Sequence, residues 1–268
     1  MESPKHHLGD QVIPSQGLPR PGTCDAVVEV AGRDSVGAAV ALAREGRISR
    51  VLPTLAYTGT EYGDLDSLQR NVERLRQRLE KEGVTVVNPV ALGAPSWWRA
   101  TVGRVNSVLS RRYGPWHICL GCHMYLHALR IPLCRRLEID ALVAGERLGH
   151  TGREKVNQGP EAVAAYARVA EAFGVRLELP LLGVDDEEEM VSLVGEWREG
   201  AEQPSCVLSG NYLDREGGVS LDRERLRAYL DEYLVPVTVR ILSEILERGE
   251  ADYQALVWEV MDNLPAGR

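Results

Sequence analysis

An α/β fold built on a parallel sheet, with helices on both faces, is predicted by two features of the sequence. An apolar strand starting at Asp25 runs through a glycine turn straight into an amphipathic helix ending near Gly46. Apolar strands then alternate with amphipathic helical stretches through short turns along most of the chain, the pattern of βαβ units. With 268 residues and 44% hydrophobic content, the chain is large enough to bury a full core. In such a sheet, ligands bind at the carboxyl ends of the strands.

Residues 1–22 are rich in Pro, Gly, His and Ser without periodicity, and read as a loose N-terminal arm. After the first strand and helix, residues 50–57 form a second strand. Residues 66–82 follow as a helix with apolar positions three or four apart and Gly83 as its stop. A third strand is expected over 84–92, a helix over 95–112, and a helix over 122–137 bent at Pro132. Residues 140–145 read as a buried strand leading into a polar loop over 146–158. A helix over 160–173, a strand over 176–182 and an acidic helix over 185–197 complete the core. Helical pattern resumes at Ser220 with a break at Pro236, so three segments are expected: the arm 1–22, a domain 23–210 and a C-terminal helical extension 211–268.

The first turn, Val30-Ala31-Gly32-Arg33-Asp34-Ser35, carries the clearest chemistry. Backbone N–H groups at a helix N-terminus lack intrahelical partners and sit at the positive end of the helix dipole, so Gly32 through Ser35 can cradle phosphate. Asp34 or Ser35 caps the helix, and an Asp carboxylate beside phosphates can also hold Mg²⁺. The Walker A sequence Gly-Lys-Ser/Thr is absent, and the only lysines are Lys5, Lys81 and Lys155.

A second constellation is Cys119-Leu-Gly-Cys122-His123. The spacing lets two thiolates from one helical turn reach a common metal, so a further ligand must come from elsewhere. Cys134 lies twelve residues beyond Cys122, about 18 Å along a helix, whereas Cys206 sits in a loop able to fold back. Zinc held by Cys119 and Cys122 with His117, His123 or His127 is an alternative, as are a metal-free redox dithiol and plain reduced cysteines. In the loop that follows the 140–145 strand, Arg147, Arg153 and Lys155 can neutralise phosphates. His150 is available as an acid or base, and Asn157 and Gln158 as helix caps.

The turn resembles the phosphate loop of the ATP pyrophosphatases (PP-loop enzymes), whose signature is Ser-Gly-Gly-x-Asp-Ser; Val30 and Ala31 stand at its first two positions. The resemblance, over about residues 25–210, implies a Rossmann-like sheet of the adenine nucleotide alpha hydrolase type. Several such enzymes that thiolate tRNA or handle sulfur join this loop to a mid-chain Cys-x-x-Cys and a third, later Cys. Cys119, Cys122 and Cys206 follow that order, and Glu146 stands where the family usually has His. The resemblance implies ATP and Mg²⁺ at Ala31, Gly32, Arg33, Asp34, Ser35, Tyr57 and Lys155. It implies catalytic roles for Asp34, Arg147 and His150, and a [4Fe–4S] cluster on Cys119, Cys122 and Cys206. The implied reaction is ATP-dependent sulfur transfer through an adenylated intermediate, with tRNA nucleobase thiolation as the leading form. Rival readings are an amide- or nitrile-forming ligase or a small-molecule sulfurtransferase with structural zinc, and a nucleotide-binding module without catalysis.

Charge distribution bears on the partner. The chain carries a net charge of −8, yet ten positive and four negative residues between Pro95 and Lys155 make that third +6 and the remainder −14. Trp97, Trp98 and Trp116 fall in the same third, which gives tRNA as an expected partner, with a small-molecule substrate and a second copy in a homodimer as others. The five cysteines, an odd number, favour metal or thiol chemistry over a disulfide framework. With no long apolar run and no charged-then-apolar leader, a cytoplasmic location is expected.

Overall fold

The computed structural model describes residues 10–148, 155–198 and 202–265. Its centre is a parallel sheet of β1 (Ala26–Glu29), β2 (Arg50–Tyr57), β4 (Thr85–Val86), β5 (Val90–Gly93), β6 (Ala141–Val143) and β7 (Arg176–Glu178). A separate two-stranded antiparallel pair joins β3 (Glu61–Tyr62) to β8 (Ser205–Cys206). Both β4 and β5 pair with β2, so the order across the sheet is β4 and β5, then β2, β1, β6 and β7. The chain moves outward from β1 through β2 and returns to the other side of β1 as β6. This reversal opens a crevice beyond the carboxyl ends of β1 and β6.

Strand side chains alternate between two cores. Val27, Leu52 and Leu142 face one, while Ala26, Val28, Val51 and Val143 face the other. The second core is closed by α1 (Arg33–Arg44), α2 (Asp66–Lys81) and α8 (Glu187–Val194), through residues such as Val40, Leu75 and Met190. The first and larger core takes α3 (Pro95–Trp98), α4 (Asn106–Arg112), α5 (His117–Ala128), α6 (Ile131–Arg136) and α7 (Pro160–Ala172). The C-terminal α9 (Arg223–Ala228), α10 (Val235–Arg248) and α11 (Tyr253–Asp262) pack into it as well.

The expected strand over 84–92 is two short strands, because Pro89 has no N–H to give to the ladder. The helix expected over 95–112 is interrupted by a π-helical turn, Arg99–Gly103, where Thr101 Oγ1 donates back to Trp97 O at 3.0 Å. Pro132 does not bend a long helix; it sits in the first turn of a new one, α6, where its missing N–H costs nothing. α5 starts at His117, so Cys119 and Cys122 both lie within it.

Two segment expectations also change. Residues 10–22 are pinned rather than loose: Gln11 and Gly93 exchange backbone hydrogen bonds of 2.5 and 3.1 Å, and Gly22 N donates to Leu137 O at 2.8 Å. The C-terminal helices are not an appendage. Tyr253 stacks on Trp97, the Tyr229 ring meets Trp116 edge to face, and Tyr233 Oη donates to Thr101 O at 2.8 Å.

Candidate functional site

At the carboxyl end of β1 the chain crosses residues 30–32 and enters α1. Ser35 organises that turn: its Oγ accepts from Ala31 N at 3.0 Å and Gly32 N at 3.2 Å, and donates to Gly32 O at 2.8 Å. Asn71 Nδ2 secures the turn from α2 through Ala31 O at 2.8 Å and Glu202 O at 2.7 Å. The end of β6 packs directly on the start of α1, since a Cβ on Gly145 would lie 2.4 Å from Ser35 N. Only a residue without a side chain lets the two backbones approach this closely.

The turn opens into a cavity of about 500 Å³, which Ala31 to Ser35, Glu61, Gly145 to Arg147, Lys155 and Gln203 help to line. Arg147, buried, donates from Nε to Val184 O at 3.0 Å and from Nη1 to Asp34 Oδ1 at 3.2 Å. Arg33 reaches the other way, to Glu187 Oε1 at 2.5 Å. A twelve-residue helix thus points its N-terminus at a cavity, with a carboxylate and a guanidinium placed at the rim.

Beneath the turn lies a buried ionic network. Glu29 ends β1 and Glu146 follows β6, and His127 bridges them: Nδ1 is 2.9 Å from Glu29 Oε2 and Nε2 is 2.9 Å from Glu146 Oε1. Glu146 Oε1 also lies 2.7 Å from His123 Nδ1, and the other nitrogen of that ring is 2.7 Å from Asn157 Nδ2. Arg130, 1% exposed, lies 3.3 Å from Glu29 Oε1 and donates to Thr54 Oγ1 at 2.7 Å. Burial opposes the charged form of both carboxylates. The Arg130 and His127 charges outweigh it at Glu29, and His123 and His127 do so at Glu146, so both stay below the usual carboxylate range. Burial likewise opposes the His127 imidazolium, but Glu29 and Glu146 lift it to about 9.

Glu29 and Arg130 were not singled out from sequence, and Glu146 only as a departure from the family's His. The legible signal was a carboxylate following an apolar strand at two strand ends, Glu29 and Glu146, where a parallel sheet places its ligand crevice.

Cys119, Cys122 and Cys206 lie within electrostatic reach of one another. The β3–β8 pairing sets Cys206 opposite Glu61, Thr60 Oγ1 lies 3.3 Å from Cys206 Sγ, and Cys119 Sγ donates to Asn211 Oδ1 at 3.1 Å in the loop beyond. Trp98 Nε1 donates to Cys122 Sγ at 3.0 Å. The thiols are mutually coupled: burial first, and then the charge of Cys206, push Cys119 up to about 12. Cys122 is raised further, by burial and by Cys119, Cys206 and Glu61. These charged neighbours are all anionic, so nothing among them would ionise a thiol for redox or nucleophilic work. Cys134 is fully buried in the larger core.

Other expected residues fall differently. Tyr57 ends β2, but its ring covers Gly93 and does not line the cavity, where the neighbouring Ala56 does. His150 and Arg153 lie outside the described residues. His117 does not face the cysteines. It is buried with Nδ1 2.8 Å from Gly114 O, and burial lowers its pKa to about 4. Among the described residues, the group with metal-ligand spacing is His123, His127 and Glu146, whose ligand atoms all lie within 4.8 Å of one another, and it contains no cysteine. The aromatic and basic residues of 95–155 are divided between surface and core: Arg99, Arg104, Arg111, Arg135, Arg136 and Lys155 are exposed and Trp98 is half-buried. Trp97 and Trp116 are buried, Arg130 and Arg147 are buried and paired, and Arg112 binds Glu232 at 3.1 Å.

No family model matches the chain. The uncharacterized protein MJ0009 of Methanocaldococcus jannaschii is 37% identical over 222 residues, which cover 82% of this chain and 80% of that protein. The chain belongs to the family of MJ0009. The same architecture, an α/β fold with a parallel sheet and helices on both faces, is what the sequence predicted. None of the helices among the described residues is long and apolar enough to cross a membrane.

Proposed function

We propose that the protein is an ATP pyrophosphatase that adenylates an oxygen of its substrate, and that a sulfur nucleophile then displaces AMP. The observation that carries this reading is the Ser35-ordered turn at the switch point of the sheet, opening into a cavity of about 500 Å³ with Asp34 and Arg147 at its rim. First-turn N–H groups of α1 would receive the β and γ phosphates, and Asp34 would hold Mg²⁺ once Arg147 turns from it to the phosphates. Lys155 supplies further positive charge on the cavity wall. As the substrate oxygen attacks the α-phosphorus, the bond to pyrophosphate breaks and these groups take up its charge.

Cys119, Cys122 and Cys206 would hold the cluster in this reading: Cys119 and Cys122 lie three residues apart on α5, and Cys206 stands within electrostatic reach of both. When bound, a [4Fe–4S] cluster on three thiolates would supply an iron with an open position for sulfur. The pairing of Glu61, which lines the cavity, with Cys206 supports a sulfur site next to that cavity. The acceptor in this reading is a small molecule, because Trp97, Trp116, Arg130 and Arg147, four of the residues that suggested tRNA, are buried.

Calorimetric titration with a non-hydrolysable ATP analogue tests the pocket. The reading expects saturable Mg²⁺-dependent binding, competition by pyrophosphate, and loss of the Mg²⁺ dependence in Asp34→Asn. Absent binding, or binding indifferent to Asp34→Asn and pyrophosphate, would reject it.

A further inference from the structure

We infer that His123, His127 and Glu146 form a second metal centre, distinct from the cysteines, that takes a divalent first-row transition ion at the floor of the cavity. The inference stands on ligand geometry and does not depend on ATP chemistry or on sulfur transfer.

His123 and His127 lie four residues apart on α5, so one helical turn sets their rings edge to face, 6.3 Å apart, on a common face toward the end of β6. Glu146 comes from that strand end, and its Oε1 is 2.7 Å from His123 Nδ1 and 2.9 Å from His127 Nε2. Two ligands on adjacent positions of an ion bound at about 2.1 Å stand roughly 3.0–3.4 Å apart. The carboxylate therefore needs to part from each imidazole by only a few tenths of an ångström, and all three ligand atoms already lie within 4.8 Å of one another. Two imidazoles and one carboxylate suit Zn²⁺, Fe²⁺, Mn²⁺ or Co²⁺, whereas Mg²⁺ prefers oxygen ligands alone.

Three further observations mark this as a built site rather than an incidental ion pair. Glu146 is 3% exposed, yet its Oε2 is buried without a hydrogen-bond partner, a lone pair that an ion would use. His127 gives its other nitrogen to the buried Glu29, at 2.9 Å, the carboxylate–histidine arrangement that fixes tautomer and ring orientation in metal sites. The remaining nitrogen of His123 meets Asn157 at 2.7 Å, and that amide can present either its oxygen or its nitrogen by a flip. Charge also permits the ion. With both rings neutral, Glu29 and Glu146 outweigh Arg130 by one negative charge, which a divalent cation overcomes. His123 and Glu146 both line the cavity, so the open positions of the ion face the space that the phosphate turn borders. Its remaining ligands are water or an oxyanion of the molecule bound there.

Cobalt(II) is the probe. Chelator-treated full-length protein, purified under reducing conditions, is titrated with Co²⁺ and followed by visible ligand-field absorption, with near-ultraviolet circular dichroism as the check on folding. The inference expects one Co²⁺ at the histidines without the sulfur charge-transfer bands of thiolate ligation. The same bands should persist when Cys119, Cys122 and Cys206 are all replaced by Ser. His123→Ala, at the half-exposed end of the trio, should weaken binding at least 100-fold, and Glu29→Gln about 10- to 100-fold. A wild-type protein that takes up no Co²⁺, or one whose binding survives His123→Ala, overturns the assignment, as does a spectrum dominated by thiolate bands that vanishes with the cysteines.

Discussion

Gly145 and Asp34 touch backbone to backbone: a Cβ on Gly145 would stand 2.4 Å from the Asp34 carbonyl carbon. The strand end and the phosphate turn are therefore one rigid unit. Gly145→Ala should force α1 away from β6, lower stability by about 1–3 kcal/mol and abolish nucleotide binding. Gly32→Ala is the control. Its Cβ would meet only the movable end of the Gln203 side chain, so the fold should keep its stability in denaturant titrations. Equal destabilisation by the two substitutions would show that the contact is not rigid.

Glu202 joins the wall of the pocket to α2, with Oε1 and Oε2 at 2.7 and 2.5 Å from the two terminal nitrogens of Arg74. The Arg74 hydrogen bonds hold the Glu202 carboxyl down at about 2, below its ordinary 4.5. A depressed carboxylate contributes stability that is complete above the unfolded value and is lost as pH falls through the folded one. Arg74→Ala should cost about 1 kcal/mol at neutral pH, as for a partly exposed bidentate pair. The gap to wild type should close between about pH 4.5 and 2. A pH-independent gap would assign the effect to the lost packing of Arg74 on Trp197, which lies 4.6 Å from it.

Cys119, Cys122 and Cys206 should each be needed for the brown colour and bound iron of anaerobically prepared protein. Cys134→Ala should keep the colour and lose about 1 kcal/mol of stability, because it removes a buried sulfur from the core. Iron analysis and thermal melts separate the two effects. A cluster retained without Cys206 would contradict the site.

Arg112 binds Glu232 at 3.1 Å and Pro265 O at 2.7 Å, and Arg225 Nη2 donates to Arg111 O at 2.7 Å. Arg112→Ala should therefore loosen the contact between α4 and the C-terminal helices by about 0.5–1 kcal/mol. At low salt, tRNA should bind weakly and without a steep salt dependence. Tight, salt-sensitive tRNA binding lost on replacing Arg111 and Arg112 would restore RNA as the acceptor.

The sheet and the glycine turn into α1 were legible because each has a local signature: strand–helix alternation, and glycine at a helix start. The floor of the cavity was not. Glu29 ends one strand and Glu146 follows another, and only the sheet topology brings both to His127 and Glu29 to Arg130, three residues beyond it. A count along the chain cannot tell that Arg130 and Arg147 are buried partners of carboxylates. The long helix expected over 95–112 failed because the π turn at Arg99–Gly103 follows from packing that spacing does not encode.

Product analysis of ATP turnover tests the central claim most directly. Protein with its metals restored anaerobically is incubated with Mg²⁺, a sulfide source, a pool of candidate small-molecule acceptors and ATP labelled at the α-phosphate. Cleavage between the α and β phosphates should give AMP and pyrophosphate, at a rate that collapses in Asp34→Asn while the fold persists. Labelled ADP as the product, with the same dependence on Asp34, would contradict an adenylating enzyme.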